Sequence, residues 1–152
     1  MGSDIKVIEP QQGDSLQRMR VYRIACELLP EAFNDAKVLA GDEVTQKVAA
    51  QLYSAVGSIA ANLSEGYARS AGKDRARIFE YALGSAREST SWYLAGKEIL
   101  GAELVNNRIA KLDEIRRMLL AIIPEGTRPH HSPPKNERSS LRVRTVYQCA
   151  LS

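Results

Sequence analysis

From Leu16 onward the apolar residues recur every three or four positions, the spacing that puts them on one face of an α-helix. Leu16, Val21, Ile24, Leu28 and Phe33 define a first helix that opens near Ser15, a suitable N-cap, and runs to about Val38. Pro30 falls inside that pattern; because it lacks a backbone donor, it predicts a kink, or a split near Leu29. "AGDE" (40–43) is a break followed by a start, with Asp42 able to cap and Glu43 suited to the positive end of a helix dipole. Val44, Val48, Leu52, Ala55, Ile59 and Leu63 then predict a second helix ending between Ser64 and Tyr67. "SAGKD" (70–74) reads as a turn. A third helix follows from about Lys73 to Leu100, with Ile78, Ala82, Ser85, Ser89, Trp92 and Ile99 as its core-facing set and Gly101 as its stop. A fourth runs from about Glu103 to Ile123 on Val105, Ile109, Leu112, Ile115, Leu119 and Ile122, and Pro124 and Gly126 end it.

No period-two alternation of useful length precedes residue 126, so the fold class is all-α. Four helices with short connections pack as antiparallel neighbours, and the expected architecture is an up-down-up-down four-helix bundle. The predicted organisation is an N-terminal extension at 1–14, the bundle at 15–125 and a flexible basic tail at 126–152. Within the tail, "TRPHHSPPKNERSS" is polar and Pro-rich and is expected to be disordered. "LRVRTVYQCALS" alternates enough to suit a short strand or a binding segment.

At 152 residues and 44% hydrophobic, the chain suits one globular domain. It contains no apolar run long enough for a membrane span and opens without a secretory pattern. Cys26 and Cys149 are isolated and fit neither a metal spacing nor a disulfide framework; reduced thiols in a cytoplasmic setting are expected. The formal charge of +3 is unevenly placed. Residues 126–152 carry Arg128, Lys135, Arg138, Arg142 and Arg144 against Glu137, whereas the other 125 residues carry 16 basic and 17 acidic side chains. Net charge alone therefore says little about nucleic-acid binding by the body.

"SIAANLSEGYARS" (58–70) raises a sharper question. Ser58, Asn62 and Glu65 stack on one face of an otherwise apolar helix, just before Gly66. One reading is a solvated surface with a glycine C-cap. Yet a glutamate at the C-terminal end opposes the helix dipole, and the third helix carries Ser85, Glu88 and Ser89 on or beside its own apolar face. The favoured expectation is a buried network in which Ser58, Asn62 and Glu65 meet Ser85, Glu88 or Arg87 and fix the register of two helices.

Catalytic patterns are weak. Di-metal bundles draw ligands from Glu and Glu-x-x-His on facing helices, but His130 and His131 both fall in the tail. No nucleophile–base set or phosphate-cradling loop can be assembled, and no cofactor or metal is expected. The turn between helices two and three is the most basic part of the body. Arg69, Lys73, Arg75 and Arg77 face only Asp74, and Tyr67 lies beside them as a stacking candidate. A solvated, cation-rich helix start is the competing reading. Phe79, Tyr81, Trp92 and Tyr93 put aromatics on both sides of helix three, more than one monomeric core requires, which points to self-association.

"QLYSAVGSIAANLSEGYARS" followed by "FEYALGSARESTSWYLAGKEILG" resembles the family of small four-helix bundle proteins encoded within 23S ribosomal RNA intervening sequences, which includes the accessory variability protein of diversity-generating retroelements. The marks are Gln51, Ser58-Ile59-x-x-Asn62-x-x-Glu65-Gly66 and Ala82-x-Gly84-Ser85-x-x-Glu88, within a resemblance spanning about Leu16 to Ile123. The resemblance implies a homopentameric barrel without catalysis of its own, and structural roles for Asn62, Glu65, Gly66, Ser85 and Glu88. Its retroelement member binds a reverse transcriptase and nucleic acid through basic surfaces. The basic positions lie outside the shared motif, and the near-neutral body here contrasts with the strongly basic retroelement accessory. The leading expectation is a non-enzymatic homo-oligomer that binds RNA or DNA, with a reverse transcriptase as a candidate partner. The alternative is a protein–protein interaction scaffold whose basic tail (128–144) docks on an acidic partner or on nucleic acid.

Overall fold

The structure, a computed structural model, describes residues 15–70 and 72–124. The expectations for the 1–14 extension and the basic tail lie outside the described residues. Those residues are helical: α1 (Arg20–Ala40), α2 (Gln46–Ala68), α3 (Gly72–Ala95), the single turn α4 (Lys97–Leu100) and α5 (Ala102–Ile122). Each long helix buries one stripe. On α1 the stripe is Val21, Ala25, Leu28, Ala32, Asp35 and Leu39; on α5 it is Val105, Leu112, Ile115 and Leu119. The stripes converge on one core that also holds Leu52, Val56, Ile59 and Leu63 of α2 and Phe79, Ala82, Leu83, Ala86 and Tyr93 of α3.

Helix directions follow from the pairings. Leu29 of α1 packs near Gly57 of α2, while Thr45 just ahead of α2 bonds back to Leu39 near the end of α1; these helices are antiparallel. Gly66 of α2 meets Ile78 and Phe79 of α3 across the next hairpin. Arg20 reaches Glu114 and Asp35 reaches Arg108, so α5 runs against α1. All of this is a helical bundle, as the apolar periodicity requires.

Several boundaries differ from the sequence expectation. Residues 15–18 form a turn and α1 opens at Arg20 with Met19 as its N-cap. Ser15 is not that cap; its hydroxyl accepts a hydrogen bond from the Tyr67 phenol. Pro30 does not split α1, which runs unbroken through it. A proline forfeits one helical bond, and here the buried stripe on either side, from Val21 to Leu39, holds the two halves to the same core. Asp42 does organise the α1–α2 connection: its carboxylate accepts from the backbone N–H groups of Val44 at 2.9 Å and Thr45 at 3.1 Å. That turn delays α2 until Gln46 and leaves Val44, expected on the seam, 87% exposed.

The third predicted helix is two elements. The chain breaks at Gly96 because the Leu39 side chain presses on its backbone: a Cβ there would lie 2.7 Å from Leu39 Cδ2. After α4, Gly101 turns the chain with φ +88°, a conformation that favours glycine. The core-facing register of α3 also shifts. Tyr93 is fully buried, whereas Trp92 is half-buried and donates its indole N–H to Glu88 at 3.1 Å.

Candidate nucleic-acid interface

The α2–α3 corner is assembled from backbone constraints first. Gly66, buried on α2, lets Phe79 approach so closely that an added Cβ would sit 2.6 Å from the ring. One turn later α2 ends, with Arg69 extended at its C-cap and its N–H donating to the Gly66 carbonyl at 3.2 Å. The Arg75 guanidinium reaches back and donates to the Arg69 carbonyl from Nε at 3.0 Å and from Nη2 at 2.6 Å. Arg75 thus supplies donors to a carbonyl that the helix itself leaves open.

The four basic side chains are exposed on this corner but differ in how they are used. Arg69 donates to Glu65 at 2.6 Å, with about half of each side chain exposed (52% and 49%), so that pair is worth little in water. Arg77 stands 3.9 Å from Asp74, a loose contact. Arg75 is engaged by a neutral carbonyl and keeps its full charge. Lys73 is exposed in the first turn of α3. Tyr67 is half-buried and its hydroxyl is spent on Ser15, so it is a strut between α2 and the approach to α1 more than an open stacking surface.

The polar stripe is not the interhelical network the sequence suggested. The Ser58 hydroxyl donates to the Ser54 carbonyl at 2.9 Å, that of Ser85 to Tyr81 at 3.0 Å and that of Ser89 to Ser85 at 2.8 Å, each within its own helix. Glu65 is exposed and pairs with Arg69, while Glu88 is exposed and accepts from Trp92. Asn62 is half-buried. Helical serines satisfy themselves on the preceding turn, and with small neighbours the α2–α3 interface closes by apolar packing around Gly66, Ala82 and Ala86.

The buried polar cluster lies elsewhere, between α1, α3 and α5. Asp35, only 3% exposed, accepts from the Tyr93 hydroxyl at 2.9 Å and from Arg108 Nε at 2.8 Å. Arg108 also contacts Glu31 at 3.2 Å, and Lys111 grips the same carboxylate at 2.7 and 2.8 Å. Burial, reinforced by the adjacent Asp35 carboxylate, pushes the Tyr93 phenol far above its ordinary range. Burial alone would weaken protonation of Arg108, but the hydrogen bond and charge of Asp35, with Glu31 behind, outweigh it and hold the guanidinium charged. A signal for this cluster was present in the sequence: Asp35 sits in the middle of the apolar stripe of α1, between Ala32 and Leu39.

Among the described residues no group of three or more His, Cys, Asp or Glu side chains is placed to hold a metal ion, and no helix is long and apolar enough to cross a membrane. Cys26 is a half-buried free thiol on α1; His130, His131 and Cys149 lie outside the described residues.

Fold and corner together define a small helical-bundle protein stapled by a buried ion cluster and presenting a cationic hairpin. More particularly, the chain belongs to the 23S rRNA-intervening sequence protein family, whose sequence model matches residues 17–121. A crystal structure of a protein of unknown function from the S23 ribosomal protein family of Bacteroides thetaiotaomicron has the same fold. It superposes with a TM-score of 0.62 at 24% identity, covering 68% of this chain and 97% of that one. No curated protein sequence matches the chain.

Proposed function

We propose that this protein is a non-catalytic helical scaffold that self-associates, as a pentamer, and binds RNA or DNA at the α2–α3 corner, with a reverse transcriptase as a candidate partner of the assembly. The observation that carries the reading is the corner itself: Lys73 and Arg75 are exposed cations with no carboxylate against them among the described residues, and Arg69 and Arg77 make only weak, solvent-screened pairs. Phosphates displace such pairs at little cost, and repetition around an oligomer multiplies the contact. Self-association is supported by apolar side chains left in water on several helices, among them Phe33, Val38, Tyr81 (52% exposed) and Leu94.

Fluorescence anisotropy of labelled RNA and DNA with the full chain tests the binding. We expect association at low salt whose logarithmic constant falls linearly with log salt, and a marked loss for Lys73→Gln/Arg75→Gln. Absence of binding at low salt, or binding indifferent to salt, refutes it. Removing residues 126–152 separates this reading from a tail-mediated interaction scaffold: binding that vanishes with the tail assigns the contact to the tail. Light scattering on the same samples gives the subunit count.

A further inference from the structure

The α2–α3 corner does not stand alone. The pairings that set the helix directions bring four termini to one end of the bundle: the start of α1, the end of α2, the start of α3 and the end of α5. Tyr67 bonds to Ser15, Arg75 to Arg69, and Arg20 to Glu114. This end carries three further exposed arginines remote in sequence from the corner: Arg18 and Arg23 at the start of α1 and Arg117 towards the end of α5. No carboxylate pairs with any of them among the described residues; Arg117 makes only a long 3.4 Å contact to the Asp113 carbonyl. Their neighbours Arg20 and Arg116 are paired, with Glu114 at 2.5 Å and Asp113 at 2.6 Å. Glu27 shares a shallow groove with Arg20 and Arg23, and Glu65 and Asp74 are the carboxylates at the α2–α3 corner. The opposite end is mixed in sign: Asp42, Glu43, Glu98 and Glu103 stand there with Lys37, Lys47 and Lys97.

We infer that the whole cationic end is one phosphate-binding face, made of Arg18, Arg23, Lys73, Arg75 and Arg117, and that its ligand is the backbone of a nucleic-acid duplex, contacted without regard to base sequence. The inference rests on the nucleic-acid reading above and narrows it. Neighbouring helices pack roughly 8–10 Å apart, so charges carried by α1, α3 and α5 spread across the end of the bundle and are not strung along one line as a single-strand track requires. Proteins that hold single strands add open aromatic rings on which bases stack. Here Tyr67 is half-buried with its hydroxyl committed to Ser15, Phe79 is buried beneath Gly66, and Tyr22 at the start of α1 is half-buried. Charge without an open ring suits phosphates on a preformed duplex, where contacts position the partner and read no bases.

Anisotropy titrations of the full-length protein against a 20-base-pair RNA duplex, its DNA equivalent and the corresponding single strands test this. The expected result is tighter binding of duplex than of single strand, by several-fold at low salt, with unrelated duplex sequences equivalent. Arg23→Gln/Arg117→Gln should weaken duplex binding by roughly tenfold and lower the salt slope by about 1.8, two phosphate contacts' worth. Arg23→Lys/Arg117→Lys should retain most affinity, and circular dichroism melting should be unchanged, since both arginines are exposed. If single strands bind as tightly as duplex, or if the Arg23/Arg117 pair has no effect while Lys73→Gln/Arg75→Gln abolishes binding, the end-face inference is overturned and the corner reading stands. Loss of binding by every nucleic acid overturns both.

Discussion

At Gly66 the usual preference of helices for alanine over glycine is reversed. In an open helix Gly→Ala gains up to about 1 kcal/mol, but here the new methyl would lie 2.6 Å from the Phe79 ring, itself buried. Overpacking of this kind costs roughly 1–3 kcal/mol, so Gly66→Ala should lower the urea midpoint, and pairing it with Phe79→Leu should restore part of the loss. Full additivity of the two substitutions would contradict the contact. The Asp35 cluster makes a second residue-scale prediction. Asp35→Ala strips Arg108 of its main partner in a site where that side chain is 15% exposed. Breaking a buried pair costs about 3–5 kcal/mol; Glu31 still faces Arg108, so the lower end, about 3 kcal/mol, is expected. Tyr93→Phe leaves Asp35 its arginine and should cost only about 1 kcal/mol. The raised Tyr93 pKa fixes the pH dependence. The folded state keeps the phenol proton while the unfolded chain releases it near pH 10, so stability is whole below about 10 and falls as pH rises beyond it. Urea midpoints between pH 8 and 11 should decline more steeply for wild type than for Tyr93→Phe; parallel profiles would refute this.

At the scale of elements, the apolar periodicity located all four long helices; it erred at α2 through the local Asp42 turn and at α3 where a side chain from another element intrudes. The third helix read as continuous to Leu100 because nothing local to Gly96 announces Leu39 pressing on it from α1. The shift from Trp92 to Tyr93 has the same origin: either ring suits a helix interior, and only the Asp35 carboxylate waiting on α1 gives the Tyr93 hydroxyl a buried partner. Gly101 was legible, since a glycine after an apolar run commonly stops a helix. Its φ of +88° and ψ of 146° are suited to glycine, so Gly101→Ala should cost about 1–3 kcal/mol. A thermal melt unchanged by that substitution would indicate that α4 and α5 realign without penalty.

Across the whole molecule, the seam between α1 and α5 is bridged by charge: Arg20 to Glu114, Glu31 to Lys111 and Arg108, and Asp35 to Arg108. Rows of ion pairs discriminate between registers, because a one-turn slip sets like charges together. We therefore expect Glu31→Lys to destabilise far more than the average surface change, with Lys111→Glu in the same chain recovering part of the loss. A double-mutant cycle in urea measures the coupling, and a coupling near zero would assign the register to apolar packing alone.

The chain's own periodicity was enough to determine that it is helical, roughly where each long helix lies, and that a basic turn joins the second to the third, because those properties depend on residues a few positions apart. The polar stripe of Ser58, Asn62 and Glu65 was visible too, but its meaning was not: whether a hydroxyl crosses an interface or bonds back to its own helix depends on what stands opposite. Only the tertiary structure decided that the buried charges are Asp35 and Arg108, 73 positions apart, that Gly66 and Gly96 are there to admit Phe79 and Leu39, and that arginines from opposite ends of the sequence share one end of the bundle. Burial and electrostatic pairing are properties of through-space distance, which local sequence does not carry.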